Sequence, residues 1–232
     1  TILAIIKLKD KLFSKVKNRG FLSLQTQIII RYTIYLLIFG TALTFLLEYN
    51  HSLKDYSITG KIYHSYFQSV TTRTAGFNTI DFSLLSIPTA ILYCFLMFVG
   101  ASPGGTGGGI KTTTFAIIIS SIKTFLKNND TVIIKNRAIS KETILKVFTK
   151  ISLTLFFITS GIFLLSVFED FSLQDIIFEA FSAFGTVGLS KGITSSMSFI
   201  GKIVIILLMF IGRVGALAFL FSIFKSGEKE QY

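Results

Sequence analysis

Apolar residues gather along this chain in long runs separated by short polar segments. Ile28 to Leu47 carries one charge, Arg31, near its start. Ile87 to Val99 and Ile151 to Phe168 carry none, and Ile203 to Phe224 carries only Arg213. A bilayer's hydrocarbon core takes about 20 apolar residues of helix, so three of these runs are expected to span on length alone. Ile87 to Val99 is too short by itself. It stops at Gly100-Ala101-Ser102-Pro103-Gly104-Gly105-Thr106-Gly107-Gly108-Gly109, and apolar sequence resumes from Ile110 to Ile122 with Lys111 as its one charge. This pattern predicts one broken helix, and discontinuous helices are where transport proteins place ion sites and gates.

The pattern also repeats. Leu96-Met97-Phe98-Val99-Gly100 recurs as Leu208-Met209-Phe210-Ile211-Gly212, an offset of 212 − 100 = 112. Gly76 and Gly188 differ by the same 188 − 76 = 112, and so do Thr74 and Thr186. Each repeat reads as a first helix (26–47, then 142–168), a short amphipathic segment (60–72, then 172–184) ending in Thr-x-Gly, and a second apolar helix. Irregular backbone is tolerated at membrane depth only where it is buried in protein or lines a water-filled cavity. The expected fold is therefore an all-α integral membrane protein. It has two helix–re-entrant pore loop–helix repeats of potassium-channel-like form, with one helix broken by a glycine-rich intramembrane loop. The expected divisions are a cytoplasmic basic segment at 1–25, one pore repeat at 26–126, a cytoplasmic linker at 127–141, a second pore repeat at 142–224 and a cytoplasmic tail at 225–232.

Composition agrees with this. Only 15% of residues are charged and mean hydropathy is +0.67, against about 25% charged residues in soluble domains. The net charge of +11 would suit a nucleic-acid binder, but its distribution does not. The bases cluster before the first run and at 123–150, whereas Glu48, Asp55, Asp81, Glu169, Asp170, Asp175 and Glu179 fall in the other connections. That alternation follows the positive-inside rule. It places both termini and the 123–150 linker in the cytoplasm and excludes nucleic acid as a partner. The single cysteine, Cys94, lies in an apolar run and reads as a buried structural thiol. No secretory signal is expected in the basic stretch before the first apolar run, and the first residue is Thr, so the sequence is expected to start partway through a longer protein.

Potassium filters replace the ion's hydration shell with backbone carbonyls, in the channel pattern TVGYG. Thr186-Val187-Gly188-Leu189-Ser190 matches its first three residues, and Thr74-Ala75-Gly76-Phe77-Asn78 matches the Thr and the central Gly. Glycine permits φ > 0, which lets successive carbonyls point one way; Thr adds a hydroxyl, and the apolar residue between anchors the loop. Arg73, beside the first loop, reads as a brace on pore-helix backbone or a nearby acid in preference to a residue that tunes the field at the outer mouth, since a guanidinium facing a cation path would repel it. The glycine-rich stretch lacks the G-K-[ST] of a nucleotide-binding loop, because Ile110 separates Gly109 from Lys111. An intramembrane arginine faces the protein interior or a cavity by default. Arg213 is therefore expected to hydrogen-bond carbonyls of the glycine-rich loop and hold it shut. Neither His51 nor His64 belongs to a catalytic or metal-binding constellation, so no enzyme activity and no cofactor are expected.

Three stretches, Gln68–Asn78, Gly100–Thr112 and Phe181–Ser190, together resemble the TrkH/KtrB family of potassium-uptake proteins (the Trk/Ktr/HKT superfamily), and the resemblance runs from about residue 26 onward. It implies four helix–loop–helix repeats around one pore, of which this chain supplies the third and fourth. It implies a homodimer in the plasma membrane (the bacterial inner membrane), in contact with lipid, with a cytosolic nucleotide-binding ring protein as regulator. The transported ion would be K+, with Na+ as a candidate second ion. The filter would comprise Thr74, Ala75, Gly76, Phe77, Asn78, Thr186, Val187, Gly188, Leu189 and Ser190. The gate would comprise Gly100, Ser102, Pro103, Gly104, Gly105, Thr106, Gly107, Gly108, Gly109, Lys111 and Arg213. Half a ring leaves a departure: the first two repeats are absent. Two rival readings are a channel-like subunit of an ATP-driven potassium pump and a truncated, non-conducting or assembly fragment.

Overall fold

The computed structural model describes residues 23–129, 131–135 and 137–224. Most of the expected basic segment at 1–25 and all of the tail at 225–232 lie outside the described residues. The first repeat is α1 (Leu24–Glu48), α2 (Ile58–Thr71), a 3-10 turn (Phe82–Leu84), α3 (Ile87–Phe98) and α4 (Thr112–Leu126). The second is α5 (Lys141–Phe168), α6 (Leu173–Gly185), a 3-10 turn (Thr194–Ser196), α7 (Phe199–Val214) and α8 (Ala216–Phe224). The 112-residue offset carries into the turns, since 82 + 112 = 194.

Matched helices also start alike. Ser23 and Ser140 cap α1 and α5, and Ser57 and Ser172 cap the short helices α2 and α6. Each serine side chain accepts an amide hydrogen from the first turn, at Thr26, Thr143, Gly60 and Asp175, which satisfies donors that have no partner inside the helix. In the third pair Ser198 caps α7 in the same way, accepting from the Gly201 amide at 3.1 Å, whereas Ser86 makes no such bond. Ser86 and Ser198 precede α3 and α7, and each is gripped by a glutamate from the end of the repeat's first long helix. Glu48 Oε1 accepts from the Ser86 amide at 3.1 Å and hydroxyl at 2.7 Å, and its Oε2 accepts from the Ser52 hydroxyl at 2.8 Å. Glu169 Oε1 accepts from the Ser198 amide at 3.0 Å and hydroxyl at 2.5 Å. Each glutamate thus ties the end of one long helix to the start of the next.

Two expectations change. The apolar run 203–224 is not one helix. Gly215 takes φ +92°, its amide closes on the Ile211 carbonyl at 2.8 Å, and α8 restarts at Ala216. A positive φ is a helix stop that glycine adopts cheaply. Arg213 therefore sits in the last turn of α7, not inside a continuous helix, and only α1 and α5 among the described residues are long and apolar enough to cross a membrane. Within 127–141, Ile133–Ile134 and Arg137–Ala138 form a short antiparallel pair, β1 and β2.

The repeats interlock. α3 packs on α6, with Phe98 and Phe181 meeting edge to face at 6.3 Å. Val187 and Leu189, from the second repeat, are buried among Leu92, Leu96 and Ile110 of the first. The outer faces of α1 and α5 are apolar and exposed, at Tyr35, Ile38 and Leu46 and at Phe156 and Phe163.

Candidate functional site

The two Thr-x-Gly loops face each other where the repeats join. A β-carbon at Gly76 would stand 2.2 Å from the Val187 carbonyl oxygen, and one at Gly188 would stand 3.8 Å from the Gly76 α-carbon. Both loops take one backbone form. Thr74 and Gly76 have φ +75° and +79°, Thr186 and Gly188 have +51° and +89°, and the intervening Ala75 and Val187 are not positive. Alternating signs rotate successive peptides so that neighbouring carbonyls or amides can converge on one point. Threonine is β-branched, and the left-handed region costs an L-residue about 1–2 kcal/mol. Strain of this kind persists where surrounding structure fixes it, and it clusters at functional sites. Here the preceding helices supply the fixing: the Ala75 amide donates to the Thr71 carbonyl at 3.1 Å, and the Thr186 and Val187 amides donate to the Ala183 and Ser182 carbonyls at 3.0 and 2.9 Å.

The loops are packed unequally. Val187 and Leu189 are 4% and 3% exposed, whereas Phe77 is 71% exposed and Ala75 is exposed. At the far end, Asn78 Nδ2 reaches only the Ile80 carbonyl at 3.4 Å, and the Ser190 hydroxyl donates to Glu179.

The glycine-rich segment lies against the threonine end of both loops. The Gly108 amide donates to Thr186 Oγ1 at 2.7 Å, and a β-carbon at Gly107 would stand 2.6 Å from Thr74 Oγ1. Gly100 touches Gly108, and Gly109 lies under Met97 and Phe98, so the segment folds back on the end of α3. Gly104 and Gly105 are exposed, at a recess shared with Pro103, Ser102 and Arg73. Ser102 Oγ also accepts from the Thr112 hydroxyl at 3.4 Å.

Three cations hold the segment's carbonyls. Arg213 donates to Thr106 O at 2.5 Å, and Lys111 donates to Gly107 O at 2.5 Å and to Gly105 O at 3.4 Å. Arg73 donates to Gly100 O at 3.3 Å. Arg73 is thus a brace, as the sequence suggested, but on the glycine-rich segment and not on a pore helix or an acid. Lys150 of α5 adds a fourth positive charge near Lys111; neither it nor Glu179 was singled out by the sequence reading. Glu179 carried a usable signal, as the one charge in the apolar stretch 176–181 of α6. Among the described residues no group of His, Cys, Asp or Glu could hold a metal ion.

The chain matches the family model described as "TrkH: Cation transport protein" over residues 2–232. It is 41% identical over 219 residues to the Ktr system potassium uptake protein B of Bacillus subtilis (strain 168), covering 93% of this chain and 49% of that protein. It is 38% identical over 207 residues to the potassium/sodium uptake protein NtpJ of Enterococcus hirae, covering 87% and 46%. The crystal structure of the potassium transporter TrkH from Vibrio parahaemolyticus shares the fold with a TM-score of 0.70 at 19% identity, covering 86% of this chain and 44% of that one. The chain spans about half the length of the curated relatives it matches. The chain belongs to the TrkH family of cation transport proteins.

Proposed function

We propose that this chain forms half of a membrane pore that carries K+ down its electrochemical gradient. The residues 74–78 and 186–190 supply backbone oxygens to the dehydrated ion, and the segment 100–111 gates the path below them. The observation that carries this reading is the meeting of two loops of matching φ at Gly76 and Val187. A carbonyl ladder needs that alternation, and two ordinary surface turns have no reason to share it. The membrane setting rests on α1 and α5, of whose most apolar windows only 22% is buried; the core helix of a soluble protein is mostly buried.

The gate reading rests on position. Gly107 and Gly108 close on Thr74 and Thr186, and Arg213, Lys111 and Arg73 restrain the segment from three sides. The missing half is supported by the bare loop. Val187 and Leu189 are buried in one apolar cluster with Leu92 and Leu96 of α3, whereas Ala75 and Phe77 are exposed and lack that cover. A further repeat before α1 would supply it. The names of the relatives favour uptake of the Ktr and Trk kind over an ATP-driven pump subunit. The resemblance of the three motifs to the family extends this proposal to a homodimer regulated by a cytosolic nucleotide-binding ring protein, and the name of the relative NtpJ makes Na+ a second candidate ion. The complete protein is expected to restore growth of potassium-uptake-deficient cells at low potassium. Failure to do so, with the protein present in the membrane, would overturn this function.

A further inference from the structure

Glu179 is 4% exposed on α6, and both its oxygens are hydrogen-bonded. Oε1 accepts from the Ser190 hydroxyl and from the Lys191 amide at 3.1 Å, and Oε2 accepts from the Thr194 hydroxyl at 2.8 Å. The Lys191 amide can only donate, and three donors converging on one carboxyl group suit its ionised, acceptor-only form. One turn away on the same helix, Asp175 holds the ammonium of Lys191 at 2.6 Å, and that side chain is 8% exposed. Two carboxylates of one helix thus fix the outer end of the second loop, and one of them draws a lysine aside.

The first repeat has a different anchor. The position matching Glu179 is 179 − 112 = 67, which is Phe67, and the position matching Ala183 is 183 − 112 = 71, which is Thr71. Thr71 Oγ1 donates to the Phe77 carbonyl at 2.5 Å and accepts from the Phe77 amide at 2.8 Å. Residues four apart share a helix face, so the two repeats place their loop anchor on the same face, one turn apart. The first anchor is a neutral hydroxyl and the second is a carboxylate.

We infer that Glu179 is a positioning residue for the ion path. It sets the backbone at Leu189–Ser190 and adds negative charge behind the outer oxygens of one loop only, and so raises affinity for the entering cation. This rests on the proposed pore. The test uses the protein expressed from its complete reading frame, with initial potassium uptake measured against external potassium and membrane protein quantified. Glu179→Gln keeps the volume but replaces an acceptor pair with an amide. It is expected to raise the half-saturating potassium concentration about tenfold, the scale of losing one hydrogen bond to a charged group, while the maximal rate per inserted protein stays within about twofold. Thr194→Val, which leaves Glu179 in place with one donor fewer, is expected to shift half-saturation the same way by less. A purely structural role would lower protein level and maximal rate and leave half-saturation unchanged. That outcome, in either variant, overturns the inference. Absence of uptake by the unaltered protein overturns the pore reading itself, and this inference with it.

Discussion

The Gly108 amide donates to the Thr186 hydroxyl oxygen at 2.7 Å across 78 residues of sequence. This bond joins the break in the third helix of the first repeat to the loop of the second. The same hydroxyl is therefore the innermost oxygen of the candidate filter and a seat of the candidate gate.

Thr186 can be tested in both roles. Thr186→Ser keeps the hydroxyl and is expected to retain uptake within about threefold. Thr186→Val removes it, leaves the Gly108 amide without its acceptor at a cost of about 1–3 kcal/mol, and is expected to lower potassium uptake at least tenfold. Equal uptake by the two variants would separate the hydroxyl from the ion path.

Arg213 is the most remote restraint on the segment, reaching the Thr106 carbonyl at 2.5 Å from the last turn of α7. A charge-assisted bond contributes about 1.5–3 kcal/mol, so Arg213→Gln is expected to raise regulator-independent potassium leak by about tenfold. Leak measured in vesicles at or below that of the unaltered protein would contradict a latch.

Close packing beneath the loops makes two glycines unequal. A β-carbon at Gly212 would stand 1.9 Å from the Phe184 carbonyl oxygen, which is backbone and cannot swing aside; at Gly105 the nearest atom would be 3.4 Å away. Gly212→Ala is expected to destabilise the detergent-solubilised protein by about 2–3 kcal/mol, and Gly105→Ala by less than about 0.5 kcal/mol. Thermal unfolding of both, side by side, checks the ranking.

The two capping glutamates should also rank by burial. Glu48 is fully buried, whereas Glu169 is partly exposed. Glu48→Ala strips acceptors from Ser52 and Ser86 and is expected to cost about 3 kcal/mol, against about 1 kcal/mol for Glu169→Ala, where water can replace the carboxylate. A larger loss at Glu169 would contradict the tie between α1 and α3.

Much of this was legible in the sequence because it is local or periodic. The helices expected at 26–47, 142–168, 60–72 and 172–184 agree with α1, α5, α2 and α6 to within two residues at either end. The 112-residue offset alone pairs Thr74 with Thr186 and Gly76 with Gly188. The stop at Gly215 was hidden, since a lone glycine in an apolar run does not declare a positive φ. The partners of Arg73, Arg213 and Glu48 were only partly legible. The sequence marks a charge that must find a partner, but the partner is chosen by packing between segments 27, 107 and 38 residues apart.

The most direct test is potassium flux into vesicles holding only the complete protein, without ATP, for the unaltered chain and for Arg213→Gln. A pore made of these loops predicts saturable potassium entry along the gradient, faster in the Arg213→Gln protein. No potassium entry in either, with both proteins folded in the bilayer, or entry only when ATP and an ATPase subunit are added, would contradict it.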